Sequence, residues 1–399
     1  MRILVCAEEA PVPPFNGIRA PLAALIERLR SSNDVRVLAY RMSDQTGETT
    51  ENMRILARPQ TGAVKTATLF ARSLVRRRPL RTDLLAATMA PALAQELGAF
   101  RPDVVHVTAG RLGALATSIG GRPSVLGALD APHLNVDARA DAASLVTRRL
   151  LRGEAARWRR FEARDWPRFG AVVVVSRDDA DALRAVEPRI AVHVIPGGIE
   201  ADRFAPSPHG AREPGRLVFH GVLDYAPNAE AARFLAREIL PRVRARRPQA
   251  ELVVVGRSPA SNVRELERLD GVRIAADVPD VAEWLASASV YVCPMLSGTG
   301  IKNKLLEAMA NELPCVVTPL ALRGTSAKPG RDVLVGENAE ELSAKILRLL
   351  DDHAFARGVG ASAKAYVTSE HDWSAIARAY EALYRRLADR TLDDRAHHR

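Results

Sequence analysis

The chain has 399 residues, of which 47% are hydrophobic and 26% charged, and its formal net charge is +10. This balance is typical of a globular protein of about two domains, and it excludes collagen-like, fibrous and largely disordered classes. With 5% aromatic residues and no recognised nucleic-acid motif, the basic charge does not indicate a nucleic-acid partner.

Short apolar runs alternate with stretches rich in alanine, leucine and arginine, and these predict strands and helices in turn. The predicted strands of the first half are Arg2–Ala7, Val35–Ala39, Val104–Val107, Ser124–Gly127, Ala171–Val175 and Val192–Ile195. Those of the second half are Leu217–His220, Glu251–Val255, Val272–Ile274, Val290–Cys293 and Cys315–Thr318. Helices are predicted at Gly17–Arg30, Ala229–Arg246, Val281–Ser287, Asn303–Asn311 and Glu340–Asp351. Continuously apolar strands belong in parallel sheets that are covered on both faces.

The alternation of strand and helix occurs twice, which predicts an α/β fold of two doubly wound, Rossmann-like domains facing a central cleft. The first domain is predicted at 1–198, because an apolar run ends there in proline and glycine. The second is predicted at 199–372, followed by a helix over 373–388 and a frayed polar tail over 389–399. Trp373, Tyr380 and Tyr384 are the predicted packing anchors of that helix.

The cellular compartment is predicted from two absences and the cysteine content. No stretch approaches the ~20 apolar residues of a membrane-spanning helix. The N-terminus, MRILVCAEEA, lacks the pattern of a secretory signal. Three dispersed cysteines are typical of reduced core residues. We therefore expect a cytoplasmic protein, with peripheral association at the inner face of the membrane as an extension of that prediction.

The densest signal for chemistry is a glycine loop that leads into a helix near residue 302. Gly298 and Gly300 allow the backbone to approach a ligand closely, and the helix start presents unpaired N–H groups. Lys302 and Lys304 add positive charge there, although cations at a helix start weaken the helix by about 0.3–1 kcal/mol each. This combination predicts a diphosphate site.

Glu307 lies one helical turn after Lys304 and on the same face of the predicted helix. Its carboxylate is predicted to accept hydrogen bonds from two hydroxyls of a ribose or a hexose. As an isolated pattern, such a pair is more often a solvated Lys–Glu contact. The glycines, the preceding strand and the repeated domain favour the ligand site.

This segment resembles the donor motif of the retaining family-4 glycosyltransferases with GT-B architecture, in the branch that builds polysaccharides and secondary metabolites. Asn303–Ala310 reads NKLLEAMA, like the helix of that motif, and Val194–Gly198, Phe219–Gly221 and Leu252–Gly256 match further landmarks in order. The resemblance implies that a sugar moves from a nucleotide diphosphate sugar to an acceptor hydroxyl, with retention at the anomeric carbon. It also implies no cofactor and no metal ion. A further implication is that the helix over 373–388 crosses back to the first domain.

The resemblance implies a role for each candidate residue of the second domain. Lys304 and, less directly, Lys302 would stabilise the leaving diphosphate, and Glu307 would hold the ribose. The donor-binding backbone would come from Gly221, Gly298, Thr299, Gly300 and Ile301.

In the first domain, Gly17 in PVPPFNG would allow a close approach to the donor. His133 would contact the donor sugar, with Asp130 as the competing choice. Glu162 and Arg164, on a basic helix predicted at 148–168, are candidates for the acceptor side, although most of that helix is expected to be solvated.

Two positions depart from the family pattern. Ser297 stands where the family carries an acidic residue, so the sugar hydroxyls must be recognised by backbone groups or another side chain. After Gly221, where the family supplies an arginine and a lysine, the next basic residue is Arg233. This is why the diphosphate role falls to Lys304 and Lys302.

The basic charge is unevenly distributed. Residues 1–198 carry 29 Lys and Arg against 20 Asp and Glu, whereas the remainder is nearly neutral. An anionic acceptor, or one presented at an anionic membrane, is therefore predicted for the first domain. A GT-B nucleotide-sugar-binding protein without activity and a nucleotide-sugar epimerase remain alternatives. The sequence leaves the nucleobase, the sugar, the acceptor and the oligomeric state open.

Overall fold

A computed structural model of the chain describes residues 1–12, 19–41, 50–59, 78–79, 81–141, 143–204, 212–298 and 301–397. The chain forms two compact units. Unit 1 comprises Met1–Pro196 and Ile376–Arg399, and unit 2 comprises Gly197–Ala375. The division falls two residues before the predicted domain boundary at 198.

Unit 1 is built on a seven-stranded parallel sheet. Its strands are β1 (Arg2–Ala7), β2 (Asp34–Tyr40), β3 (Met53–Leu56), β4 (Val104–Thr108), β5 (Ser124–Leu129), β6 (Ala171–Val174) and β7 (Val192–Val194). The order across the sheet is β3-β2-β1-β4-β5-β6-β7. Winding therefore reverses between β1 and β4, which is the arrangement of a doubly wound sheet.

Helices connect the strands of unit 1 and bury their apolar stripes against the sheet. They are α1 (Arg19–Arg30), α2 (Thr82–Ala99), α3 (Ala116–Ile119), α4 (Pro132–Asp141), α5 (Leu145–Asp165) and α6 (Arg177–Val186). In α1 the buried residues include Leu22, Leu25, Ile26 and Leu29, the three- and four-residue spacing of one helical face.

Unit 2 repeats the same plan with six parallel strands. They are β8 (Arg216–Val222), β9 (Glu251–Arg257), β10 (Val272–Ala276), β11 (Val290–Cys293), β12 (Cys315–Val317) and β13 (Leu334–Val335). The order across the sheet is β10-β9-β8-β11-β12-β13, so winding reverses between β8 and β11. The predicted α/β class with two Rossmann-like sheets is confirmed.

The helices of unit 2 are α7 (Ala226–Phe234), α8 (Leu240–Arg244), α9 (Ser261–Arg264), α10 (Ala282–Ser287), α11 (Asn303–Ala310), α12 (Ala339–Asp351) and α13 (His353–Glu370). A π-helical turn, Leu235–Ile239, joins α7 to α8 just before Pro241. Proline has no N–H to donate within a helix, and widening the preceding turn accommodates it. The helix predicted at Ala229–Arg246 is thus formed by three consecutive helical segments over Ala226–Arg244 and is not regular.

The last helix, α14 (Trp373–His397), runs past the predicted helix end at residue 388. The prediction of a frayed tail over 389–399 is therefore wrong as far as His397. The physical reason is that the segment contains no glycine or proline to terminate the helix. Trp373, Tyr380 and Tyr384 are all buried, as predicted. No helix in the described part of the chain is long and apolar enough to cross a membrane.

Tyr384 holds α14 to β4 within unit 1. Its hydroxyl lies 2.7 Å from Nδ1 of His106. Burial lowers the pKa of His106 to about 4, so the ring is neutral near pH 7.

Tyr384→Phe should lower the free energy of unfolding by about 1–3 kcal/mol, because it leaves the buried Nδ1 of His106 without a partner. Urea unfolding measures the change. Tyr380→Phe is the control, since the described residues offer its hydroxyl no hydrogen bond, and it should change stability less. Equal effects of the two substitutions would contradict the role of the Tyr384–His106 hydrogen bond.

Candidate functional site

A pocket of about 560 Å³ lies in unit 2 at the carboxyl ends of β8 and β9. Strand β8 contributes His220, Gly221 and Val222, and α11 contributes Lys304 and Glu307. Open α/β sheets bind ligands at the carboxyl ends of strands where the winding reverses, and β8 borders that reversal. The fold therefore brings the predicted residues Gly221, Lys304 and Glu307 to one pocket.

The wall between β8 and β9 depends on two glycines that face each other in the sheet register. A Cβ at Gly256 would lie 1.8 Å from the carbonyl oxygen of Gly221, so no side chain fits there. A Cβ at Gly221 would lie 2.7 Å from Nδ2 of Asn228 and 3.0 Å from Nζ of Lys304. The absence of a side chain at Gly221 thus leaves room for these two polar groups.

The ammonium group of Lys304 contacts an amide and an aromatic ring. Nζ donates a hydrogen bond to Oδ1 of Asn228 and lies 5.1 Å from the centre of the Phe219 ring. Burial lowers the pKa of Lys304. An anion beside Nζ would offset the unfavourable burial of the lysine charge. The charged form of Lys304 is therefore more stable with a phosphate group bound beside it than without one.

Lys302 contacts the backbone at Gly298. It is 7% exposed, its Nζ donates to the carbonyl oxygen of Gly298 over 3.3 Å, and burial lowers its pKa. Gly298 has φ +103°, a conformation that favours glycine. Lys302 therefore supports the loop, while its predicted contact with phosphate stays a prediction. Ile301 follows the loop, whereas Thr299 and Gly300 lie outside the described residues.

His220 positions the carboxylate of Glu307. Nε2 of His220 lies 2.7 Å from Oε2 of Glu307, and Nδ1 of His220 is buried with no hydrogen-bond partner in the described structure. This pattern assigns the ring proton to Nε2, which donates to the carboxylate. The Glu307 side chain is 25% exposed, so it can reach a ligand while His220 fixes its orientation.

Glu230 places a second carboxylate beside the glycine loop. The hydroxyl of Ser297 donates to Oε2 of Glu230 over 2.6 Å. Glu230 lies on α7, 67 residues away in the chain, and sequence reasoning missed it because no local pattern connects it to Ser297. An acidic group is therefore present near the position where the family pattern would have one.

Two arginines of the pocket were also missed. Arg257 ends β9, and Arg203 lies in a 3₁₀ turn, Ala201–Phe204, where it forms an ion pair with Asp280 at 3.3 Å. The family pattern places the phosphate-binding cations just after Gly221, which is why cations on other segments were not predicted. The position of Arg257 directly after Gly256, at the end of a predicted strand, was a usable signal. The positive charge of this pocket thus comes from several separate segments.

The predicted residues of unit 1 have different outcomes. Gly17 lies outside the described residues. His133 is 3% exposed, and its Nδ1 lies 2.7 Å from Oε2 of Glu162, whose side chain is fully buried. The interpretation of Glu162 as an acceptor-side residue is therefore corrected, because its carboxylate faces inward to His133. The contact of His133 with a donor sugar stays a prediction.

Asp130, the competing choice, lies at the carboxyl end of β5 in an environment that perturbs its pKa. It follows Leu129, which has φ +69°, and it accepts a hydrogen bond from Asn135 at 2.6 Å. Burial and the nearby Asp179 raise the pKa of Asp130 to about 6. Carboxyl groups perturbed in this way at the carboxyl end of a strand are enriched at functional sites. Among the residues that the structure describes, no group of three or more His, Cys, Asp or Glu could hold a metal ion.

Two family profiles match consecutive parts of the chain. Residues 15–203 match "Glycosyltransferase Family 4", and residues 214–352 match "Glycosyl transferases group 1". The two matches correspond to the two sheets, and the donor motif falls within the second. The chain belongs to the family-4 glycosyltransferases of GT-B architecture.

Known proteins support the same assignment. The phosphatidyl-myo-inositol mannosyltransferase of Mycolicibacterium smegmatis is 33% identical over 203 residues, 47% of this chain and 51% of that protein. The chain thus spans about half the length of the curated relatives that it matches. Sucrose-phosphate synthase from Thermosynechococcus elongatus superposes with a TM-score of 0.65 at 19% identity, covering 97% of this chain and 99% of the other. Anabaena HepE, solved in complex with UDP, superposes with a TM-score of 0.63 at 14% identity, covering 96% and 99%. These structures support the fold.

Proposed function

We propose that the protein transfers a sugar from a nucleoside diphosphate sugar to an acceptor hydroxyl, with retention at the anomeric carbon. The observation that carries this proposal is the placement of the Lys304 ammonium and the Glu307 carboxylate, one helical turn apart, on a single pocket. An ammonium group matches a diphosphate, and a carboxylate matches the paired hydroxyls of a ribose. The names of the curated mannosyltransferases and the UDP complex of HepE support a nucleotide-sugar donor.

The proposed chemistry is electrostatic stabilisation of the leaving group. As the bond to the sugar breaks, negative charge grows on the diphosphate, and a preorganised ammonium stabilises that charge more than it stabilises the ground state. Lys304 supplies this group, and Lys302 holds the loop that carries the backbone amides of the site. No side chain is proposed as a covalent nucleophile, and protein charges rather than a metal ion bind the diphosphate.

Recognition of the transferred sugar is proposed to involve Glu230. Its carboxylate lies at Ser297, next to the Gly298 loop, and carboxylates accept hydrogen bonds from sugar hydroxyls. Ser297 would then act by orienting Glu230.

The proposed acceptor is lipid-linked or otherwise anionic, and we propose peripheral association with the inner face of the membrane. The basic surplus of residues 1–198 supports this, as do the names of the relatives, which act on phosphatidylinositol lipids. Long-range attraction of this kind is screened by salt, with a Debye length of ~10 Å at 0.1 M.

Acceptor affinity should therefore fall as ionic strength rises, and donor affinity should fall less steeply because its charges lie in a pocket. Titrating acceptor and nucleoside diphosphate separately across a salt series measures both slopes. A flat acceptor curve, or a steeper donor curve, would indicate a neutral acceptor.

The proposed function is tested by a panel of UDP-, GDP- and ADP-sugars in a thermal-shift assay, followed by product analysis with the donor that binds. Transfer or slow donor hydrolysis supports the proposal, and the anomeric proton signal of the product reports retention. Binding without turnover would support the inactive binding protein, and an epimerised donor would support the epimerase. Chelation of metal ions should leave donor binding unchanged.

A further inference from the structure

The most exposed large hydrophobic side chains of the described chain lie together at the start of α5. Leu145, Val146 and Leu150 are 78%, 74% and 70% exposed, whereas no other large hydrophobic residue that the structure describes exceeds 53%. Single exposed hydrophobic residues are ordinary on protein surfaces, but a cluster within two helical turns marks an interaction surface.

The packing of α5 explains why this cluster is exposed among the described residues of unit 1. Its buried residues are Ala155, Trp158, Phe161, Glu162 and Asp165. All of them lie after residue 154, and of the hydrophobic residues before that point only Leu151, on the other side of the helix, packs against the core. At about 100° per residue, Leu145, Val146 and Leu150 fall within an arc of about 140°. The helix therefore presents one apolar face over its first turns.

The same turns carry unbalanced positive charge. Residues 145–153 contain Arg148, Arg149 and Arg152 and no acidic residue. Arg148 is held by the carbonyl oxygens of Ala140 and Ala143, so its role is to fix the end of α4.

Arg149 lies between Leu145 and Val146 on the helical wheel and is exposed, with no acidic partner among the described residues. Arg152 pairs with Asp141 at 3.6 Å, and both side chains are more than 60% exposed, so this ion pair is weak. Arg149 and Arg152 are therefore available to contact an anionic partner.

We propose that the face formed by Leu145, Val146, Arg149, Leu150 and Arg152, the docking face, binds the surface of an anionic lipid bilayer. The aliphatic side chains enter the boundary between headgroups and acyl chains, and the arginines contact lipid phosphates. A second copy of the chain fits less well, because an isologous contact would bring the arginines of both copies together. This inference rests on the peripheral membrane association of the proposed function and adds the face that makes the contact, and its test needs neither donor nor acceptor.

The test is sedimentation of the full chain with vesicles of phosphatidylcholine, alone or with about one third phosphatidylglycerol. The variants are the triple serine substitution of Leu145, Val146 and Leu150, and the pair Arg149→Ser with Arg152→Ser. The matched control is Arg264→Ser with Arg268→Ser, which removes the same charge from exposed positions in unit 2. Each variant is checked for unchanged melting and unchanged binding of nucleoside diphosphate.

The unsubstituted protein should bind the anionic vesicles more strongly than the neutral ones. The serine triple should weaken binding at least tenfold, and each arginine of the docking face should contribute about fivefold. The control pair should stay within about twofold of the unsubstituted protein, because its charges lie away from the contact and are screened.

The proposal is overturned if the unsubstituted protein does not sediment with anionic vesicles, or if the control pair weakens binding as much as the Arg149 and Arg152 pair. It is also overturned if sedimentation velocity shows a dimer that the serine triple converts to a monomer. If the serine triple does not fold, the arginine pair decides alone. Failure of the proposed function has a separate signature, the absence of nucleoside diphosphate binding in every variant.

Discussion

Lys304→Ala should lower the rate of transfer or donor hydrolysis by roughly 10²–10³, the scale of losing one group that stabilises charge in a transition state. The effect falls on rate because the diphosphate carries more negative charge as it leaves than it carries in the bound donor. Stability should change little or rise, since burial already lowers the pKa of this lysine. Steady-state kinetics and thermal melting of the same preparation measure the two effects.

The controls separate charge from packing. Lys304→Met keeps an aliphatic side chain over the Phe219 ring and removes the charge, so it should lose about as much activity as the alanine variant. Lys345→Ala makes the same substitution on α12, away from the pocket, and should retain activity. Unchanged turnover in Lys304→Met would exclude the ammonium group from the mechanism.

Much of the fold was predictable because buried parallel strands are continuous apolar runs. The core strands β1, β4, β8, β9 and β11 were all predicted within three residues of their ends. Two of the four edge strands, β3 and β13, were missed, whereas the edge strands β7 and β10 were predicted. All of β3 is only partly buried, and β13 has two residues. Partial burial leaves no clear hydrophobic pattern in β3, and two residues are too few for a pattern in β13.

The candidate site was predictable where its residues are neighbours in the chain. Gly298, Lys304 and Glu307 belong to one loop and helix, and their spacing alone predicts a shared face. Glu230 and His220 were not predictable in their roles, because each reaches the site through tertiary packing from another element. The burial of Glu162 was missed for a similar reason, since its neighbours on α5 are mostly arginines.

Substitution of Glu307 should change the affinity for the donor more than it changes the rate of transfer. Its carboxylate is held by Nε2 of His220 at 2.7 Å, so the orientation of the carboxylate is set before a ligand arrives. Preorganised acceptors lose little entropy on binding, which lets a charged hydrogen bond contribute close to its full value.

Glu307→Ala should therefore weaken binding of the free nucleoside diphosphate by about 1.5–3 kcal/mol, or about 10- to 150-fold. Isothermal titration calorimetry measures this directly. His220→Phe should weaken binding by a smaller factor, because it removes the group that positions the carboxylate and leaves the carboxylate itself. In the double variant the two losses should not add, since His220 acts only through Glu307.

The matched control is Glu340→Ala, which removes an exposed carboxylate from the start of α12 in the same unit and should leave affinity unchanged. If Glu307→Ala and Glu340→Ala bind the nucleoside diphosphate equally well, Glu307 has no part in holding the ribose. Additive losses of binding free energy in the Glu307 and His220 variants would instead indicate that His220 contacts the ligand directly. The His220 imidazole is buried beside the Tyr291 ring, with ring centres 5.5 Å apart. A direct contact of His220 with the ligand would therefore require the imidazole to turn away from Glu307. We therefore expect the two substitutions to be coupled.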